Sequence, residues 1–272
     1  MSRFRNASGL AGAALVALVV MCALLAPLLA THDPEALDVM DRFASPSAAH
    51  WFGTDQVGRD IYSRLLFGTR VAIGVALSAI ALAAVPGVLL GMAAGFLGGV
   101  WDRVSLVLFD IVAAFPSLIL ALAIVAVFGP STRNVVLIVA LTLAPQFGRV
   151  ARAQVLAVKS APFVDAERIL GASSWRIVLR HLLPNVAGPL IVLASLDIPG
   201  VITIEAGLSF IGLGVRPPLA SWGTLINDGY AYLSDSIWPV LTASVALAIA
   251  TLGFTLFGEA LRDALNPRSV RR

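Results

Sequence analysis

The sequence predicts an all-α membrane protein with six transmembrane helices, a structured cytoplasmic loop and ordered external loops. Three observations carry this. Hydrophobic residues fill 58% of the 272 positions and charged residues only 13%, against about a quarter charged in soluble domains. Six apolar segments recur, each near the roughly 20 residues a helix needs to cross the hydrocarbon. The basic residues are unequally shared between the segments that join them.

Residues 1–9 carry Arg3 and Arg5 and precede an apolar run over 10–30. That run is longer than an ordinary signal core, and 27–31 makes a poor cleavage site, so it is expected to stay as the first span with its N-terminus in the cytoplasm. Five further spans are expected around 71–96, 104–127, 135–156, 186–206 and 237–256. Both termini then lie on one side, with 261–272 as a cytoplasmic tail. On this topology thirteen Lys and Arg fall inside and six outside, the asymmetry of a cytoplasmic N-terminus. The net charge of +3 therefore reflects orientation in the bilayer, and no basic face for nucleic acid emerges.

Several classes of chemistry find no support. Cys22 stands alone inside an apolar run, and His32, His50 and His181 are far apart without metal-ligand spacing. The close acids Asp165 and Glu167 point to different sides of a helix. Ser173 and Ser174 lack a triad with His181. No phosphate-cradling glycine loop occurs, and the glycines between 87 and 99 suit close helix packing instead. ATP, if used, must bind another chain.

Prolines at 86, 116, 145 and 199 fall within four spans. As a set they suit a transporter, although each alone is ordinary membrane-helix usage. Asp110, Asp197 and Glu205 lie in or near apolar segments, where they are either pathway groups or polar contacts inside the bundle.

The segment over 31–70 reads as an external loop and interfacial helix. Thr54 or Asp55 can cap a turn, Gly58 permits a bend, and Ile61, Tyr62, Leu65 and Leu66 form an apolar side. The same residues would equally begin the second span. A second external loop, 207–236, contains Gly207, Gly212, Gly214, Pro217, Pro218 and Trp222, a helix-breaking set with an aromatic anchor.

The polar interruption over 159–184 is the most structured of the loops. In FVDAERILGASSWRIVLRHLLP a short helix from Asp165 runs to Leu170, Gly171 permits a bend, and Ser173 or Ser174 caps a second helix that Pro184 closes. Trp175, Val178, Leu179 and Leu182 are expected on one apolar face of that second helix.

DAERILGASSWRIVLRHLLPN resembles the cytoplasmic Glu-Ala-Ala loop of ABC importer permeases. Ala166, Gly171, Leu182, Leu183 and Pro184 follow its pattern, while Asp165 replaces the usual glutamate and Glu167 the second alanine. GTDQVGRD, FPSLILALA, LSFIGLGVRPPLASWG and LRDALNPR extend the similarity over almost the whole chain, to the shorter second subunit of dipeptide, oligopeptide and nickel permeases.

The resemblance implies a non-enzymatic subunit of a bacterial inner-membrane importer with no cofactor of its own. It would pair with a second permease, two ATP-binding subunits holding ATP and Mg, and an external binding protein. Residues 71–260 would be the permease domain, and Asp165, Ala166, Glu167, Gly171, Ala172, Trp175, Arg176, Leu183 and Pro184 would couple it to the ATPase. Gly53, Thr54, Asp55, Gly58, Arg59, Asp60, Pro217 and Trp222 are candidate external contacts.

The acids at 110, 197 and 205 keep an ion-coupled secondary transporter as the alternative. A membrane-embedded enzyme lacks a convergent catalytic set. Peptides, nickel complexes, opines and glutathione-like molecules all stay open as cargo.

Overall fold

The computed structural model describes residues 7–265. Arg3, Arg5, Arg268, Arg271 and Arg272, which contribute to the expected charge bias, lie outside the described residues, as do the outer parts of both expected termini. In order, the helices are α1 (Ala7–Leu29), α2 (Ile61–Leu97), α3 (Gly99–Ala114), α4 (Ser117–Phe128), α5 (Thr132–Val158), α6 (Pro162–Ile169), α7 (Ser174–Ile177), α8 (Leu183–Phe210), α9 (Trp222–Tyr230) and α10 (Trp238–Leu265). A π turn, Val178–Leu182, joins α7 to α8.

Five helical stretches are long and apolar enough to span a membrane: α1, α2, α5, the run Ser174–Phe210, and α10. The sixth departs from expectation. The segment over 104–127 is not one helix: α3 and α4 meet at an 82° bend. Pro116 cannot donate to the helix ladder, and it pushes Phe115 into extended backbone with ψ 122°. Pro86, Pro145 and Pro199 stay inside continuous helices. Around Pro86 and Pro145 α2 and α5 pack closely on each other, whereas α4 buries only Ala121.

Residues 61–70 do not form a separate interfacial helix either. Asp60 caps a single 37-residue helix, its carboxylate accepting the Ser63 N–H at 2.8 Å. At 1.5 Å per residue α2 is about 55 Å long, well beyond the roughly 30 Å hydrocarbon. The apolar side of Ile61 and Leu66 therefore belongs to its first turns and is buried in protein.

Glycine explains how the bundle closes. A Cβ on Gly87 would stand 2.4 Å from the Ala144 carbonyl oxygen, one on Gly91 2.1 Å from that of Gly148, and one on Gly95 2.9 Å from the Val155 Cβ. The two helices thus run parallel with backbones nearly touching, a contact that only small residues allow. Gly148 is in turn covered by the Phe109 ring of α3. On the other side α1 lies antiparallel on α10, with Gly12 against Leu256 and Gly253 against Leu15. The main core gathers Ala76, Ala79, Val139, Phe147, Ile202 and Trp222.

Gly74 lies on the same helix as Gly91, but a Cβ added there would meet nothing within 4 Å. Gly74→Ala should therefore hold or raise stability through helix propensity, by up to about 1 kcal/mol. Gly91→Ala should lower it by about 1–3 kcal/mol through overpacking. Thermal unfolding of the detergent-solubilised chain compares the two, and equal midpoints would contradict the seam.

Candidate functional site

Two polar assemblies occupy opposite ends of the bundle. The first is the segment between α5 and α8. Pro162 opens α6, where its missing N–H leaves no helical partner unsatisfied. Gly171 ends the helix with φ +77°. Its N–H donates to the Arg168 carbonyl and the Ala172 N–H to the Glu167 carbonyl, both at 3.0 Å, the paired bonds of a Schellman closure. Ser173 then caps α7, its hydroxyl accepting the Arg176 N–H at 3.3 Å.

Of the expected apolar face, Trp175, Val178 and Leu179 do line one cavity while Leu182 turns away from them, and the expected stop at Pro184 needs correction. The Leu183 N–H reaches back five residues to the Val178 carbonyl, so the turn is a π turn and the backbone continues into α8. Pro184 has no N–H, and in a regular helix its ring would press on the Arg180 carbonyl. The wider turn accommodates it, and the Asn185 amide satisfies the His181 carbonyl at 2.7 Å. The change of period also changes the buried face. Ile177 and Leu182 turn inward with Val164 and Val186 against Met92, Ala151 and Val155.

Trp175 is 70% exposed and lines, with Val178 and Leu179, an apolar cavity against α2, while Ile169 at 86% and Leu170 at 83% stand uncovered at the end of α6. The segment is held from within by one apolar cluster and presents a second one outward. Its acids divide in the same way. Glu167 faces the segment's own second half, 3.2 Å from His181 Nε2 and 4.0 Å from Arg176 Nε. Asp165 points outward, with only the exposed Arg168 beside it at 3.1 Å. Ala166 and Pro184 are exposed, Ala172 is partly buried, and Leu183 lies at the rim of an apolar cavity of about 340 Å³ between α2 and the π turn.

At the opposite end, the loop before α2 wraps a buried ion-pair network. Asp55 Oδ1 accepts the N–H groups of Val57 and Arg59 at 2.9 and 3.0 Å. Asp55 Oδ2 takes Arg59 Nε at 2.8 Å and is bonded by Arg64 Nη1. Both guanidinium groups also reach Asp228 of α9, at 3.3 and 3.4 Å. Two cations and two anions balance, which lets the group stay buried. Thr54 ties the loop to residues 41 and 44 through its hydroxyl.

Gly53 and Gly58 are required there. Both have positive φ, and a Cβ on Gly58 would stand 1.6 Å from the Asp38 carbonyl oxygen. Trp222 is buried over Gly68 and donates its indole N–H to the Leu65 carbonyl at 3.2 Å. Pro217 stays exposed on the surface.

Sequence reasoning missed Arg64 and Asp228. An arginine among Ile61, Leu65 and Leu66 was a usable signal, since a cation on an apolar helix needs a partner. Nothing local pointed to Asp228, 164 residues further on. It also treated His32 and His50 as unrelated, yet the folded loop stacks their rings 4.5 Å apart next to Asp60.

The three apolar-segment acids do not converge. Asp110 is exposed on α3 and pairs with Arg149 of α5 at 2.8 Å, next to the Asp102–Arg152 pair. Asp197 is half-buried midway along α8. Glu205 is fully buried and accepts the Ser209 hydroxyl at 2.8 Å, while Ser209 Oγ accepts the Val215 N–H at 3.0 Å. Glu205 thereby secures the start of the 211–221 loop.

A bundle of membrane-length helices that leaves a polar segment exposed at one end defines a multi-span membrane protein. The chain belongs to the family of binding-protein-dependent transport system inner membrane components, which matches residues 87–271. Residues 3–46 match the N-terminal TM domain of oligopeptide transport permease C.

Among its relatives, the probable D,D-dipeptide transport system permease protein DdpC of Escherichia coli (strain K12) is 42% identical, over 94% of this chain and 86% of that protein. The dipeptide transport system permease protein DppC of Alkalihalophilus pseudofirmus is 36% identical, over 97% and 87%. The nickel transport system permease protein NikC of Escherichia coli (strain K12) is 38% identical, over 94% and 92%. In fold the chain is similar to one from an inward-facing structure of the MetNI methionine ABC transporter, with TM-score 0.62 at 18% identity, covering 76% of this chain and 98% of that one.

The protein is thus a multi-pass inner-membrane permease of an ABC importer. It works with an ATPase and a binding protein, is not itself catalytic, and needs no cofactor for its part in transport.

Removing one member of the buried network leaves uncompensated charge. Arg64→Ala should cost about 3–5 kcal/mol. Asp228→Asn should cost less, because Asp228 keeps 22% side-chain exposure. Thermal unfolding in detergent measures both, and a neutral Arg64→Ala would show that the network contributes little.

Proposed function

We propose that this chain is one of two related permeases forming the translocation pathway for di- or oligopeptides, with two ATPase subunits driving it through residues 162–183. The observation that carries the reading is the exposed apolar cap of Ile169, Leu170 and Trp175 on an element that is rigid from within. A short helix with such a cap suits a groove on a partner. Because α7 continues through the π turn into α8, a displacement of the cap passes directly into a span. Asp165 is the acid that meets the ATPase, and Glu167 holds the segment together.

On this reading both termini and the coupling segment lie in the cytoplasm and the network around Asp55 faces outside. Of the expected external contacts only Pro217 is exposed, so Gly53, Thr54, Asp55, Gly58, Arg59, Asp60 and Trp222, all buried, act from beneath by holding the loops that would meet the binding protein or the second permease. A cavity of about 330 Å³ lined by Ser117, Ile138, Thr142, Ile204 and Gly207 lies between α4, α5 and α8, and is the candidate for part of the pathway wall. The peptide assignment rests on the likeness to the dipeptide permeases. The nickel permease supplies the competing cargo.

Trp175→Asp and Ile169→Asp replace exposed side chains, so membrane insertion and thermal midpoint should be preserved. Co-purification of the ATPase should fall by about tenfold or more, the scale of losing a buried interface anchor. Gly171→Pro removes both the positive φ and the N–H of the Schellman closure. It should abolish ATP-dependent peptide uptake into proteoliposomes while the chain still inserts, and normal uptake would falsify the coupling role.

A further inference from the structure

Where α1 ends and α2 begins, two imidazoles and a buried carboxylate converge on one point. His50 Nδ1 lies 2.9 Å from Asp60 Oδ1. His32 Nδ1 lies 3.9 Å from the same oxygen. The three donor atoms fall within 4.8 Å of one another. We propose that His32, His50 and Asp60 form a binding site for a divalent transition-metal ion of the zinc class.

The donor set is chemically selective. Two neutral imidazoles and one carboxylate suit Zn²⁺ and its borderline neighbours, whereas Mg²⁺ and Ca²⁺ prefer oxygen cages. Bonds of about 2.0–2.1 Å in a tetrahedral site separate the donor atoms by about 3.3 Å. The two distances to Asp60 bracket that value. The widest separation closes by about 1.5 Å, a movement open to His32, whose side chain is 41% exposed. His50 alone would satisfy Asp60 Oδ1 as a hydrogen-bond donor, and His32 Nδ1 lies 3.0 Å from the Thr31 hydroxyl, a contact it would exchange for the ion.

The surrounding groups are arranged as support for a metal centre. Asp60 Oδ2 is already occupied by the Ser63 N–H at 2.8 Å and the Thr31 hydroxyl at 3.4 Å, which orients Oδ1 toward the histidines. The far nitrogen of His50, Nε2, faces the Asp41 carboxylate at 3.9 Å. A carboxylate behind a ligating imidazole fixes its tautomer and raises its basicity. Asp60 and His50 are largely buried while His32 opens to solvent, so an ion enters from one side and keeps a fourth position for water or an outside ligand.

The ligands come from the chain just after α1, from the loop, and from the cap of α2. A bound ion would therefore pin the two spans together at this mouth. The proposal does not depend on what the importer carries.

The test is Zn²⁺ titration calorimetry on the full chain in lipid nanodiscs, purified without a polyhistidine tag. The visible absorption of tetrahedral Co²⁺ provides a second readout. We expect one equivalent bound, with the thermal midpoint raised by Zn²⁺. His32→Gln, at an exposed position, should keep the metal-free midpoint and weaken binding about tenfold or more, and Asp41→Asn should weaken it about tenfold. Unchanged affinity in His32→Gln overturns the site, as does displacement of Zn²⁺ by an equal concentration of Mg²⁺.

Discussion

The backbone contact between α2 and α5 is the interaction on which the remaining architecture rests. Gly87, Gly91, Gly95 and Gly148 let the two helices approach until carbonyl and Cα atoms touch. In hydrocarbon, where burying apolar side chains gives little net gain over lipid, such van der Waals closeness is what holds helices together. The seam also fixes α2 as the strut of the molecule. Its first turn carries Arg64 into the ion-pair network with Asp228, and its last turns place Met92 in the cluster under Val164 and Ile177. Both polar assemblies are therefore built onto one helix about 55 Å long.

The two assemblies differ in a way their tasks explain. The network of Asp55, Arg59, Arg64 and Asp228 has its charges balanced and almost all of its surface covered, so it organises a loop and offers few free groups. The segment over 162–183 does the reverse, keeping Ile177 and Leu182 inside and leaving Ile169, Leu170 and Trp175 uncovered. A surface with three large apolar side chains so exposed is costly for an isolated chain and understandable for a docking one.

Much of this was legible in the sequence, for physical reasons. Spans announce themselves because lipid tolerates only apolar helices with satisfied backbones, and Gly171 with Ser173 marked the bend because positive φ and capping are local chemistry. What escaped were features that depend on neighbours. Pro116 breaks its span where Pro86 does not, because α4 lacks the packing that α2 has. The π turn carried Leu182 away from the face of Trp175, Val178 and Leu179, since the period of the helix changed to suit Pro184. Asp228 and the His32–His50 stack arise from chain segments meeting across a fold, where no sequence spacing records them.

The unbroken run from Ser174 to Phe210 has a mechanical meaning. Because Pro184 is absorbed by a π turn and Pro189 and Pro199 stay inside the helix, no hinge separates Trp175 from Glu205. Through Ser209 that glutamate grips the loop leading to Trp222, which itself leans on α2 at Leu65. The run is in effect a push rod with a handle at one mouth and a latch at the other. On the proposed coupling, a thrust on its exposed end would travel along one continuous helix to the other mouth, without a chain of intermediate rearrangements to relay it.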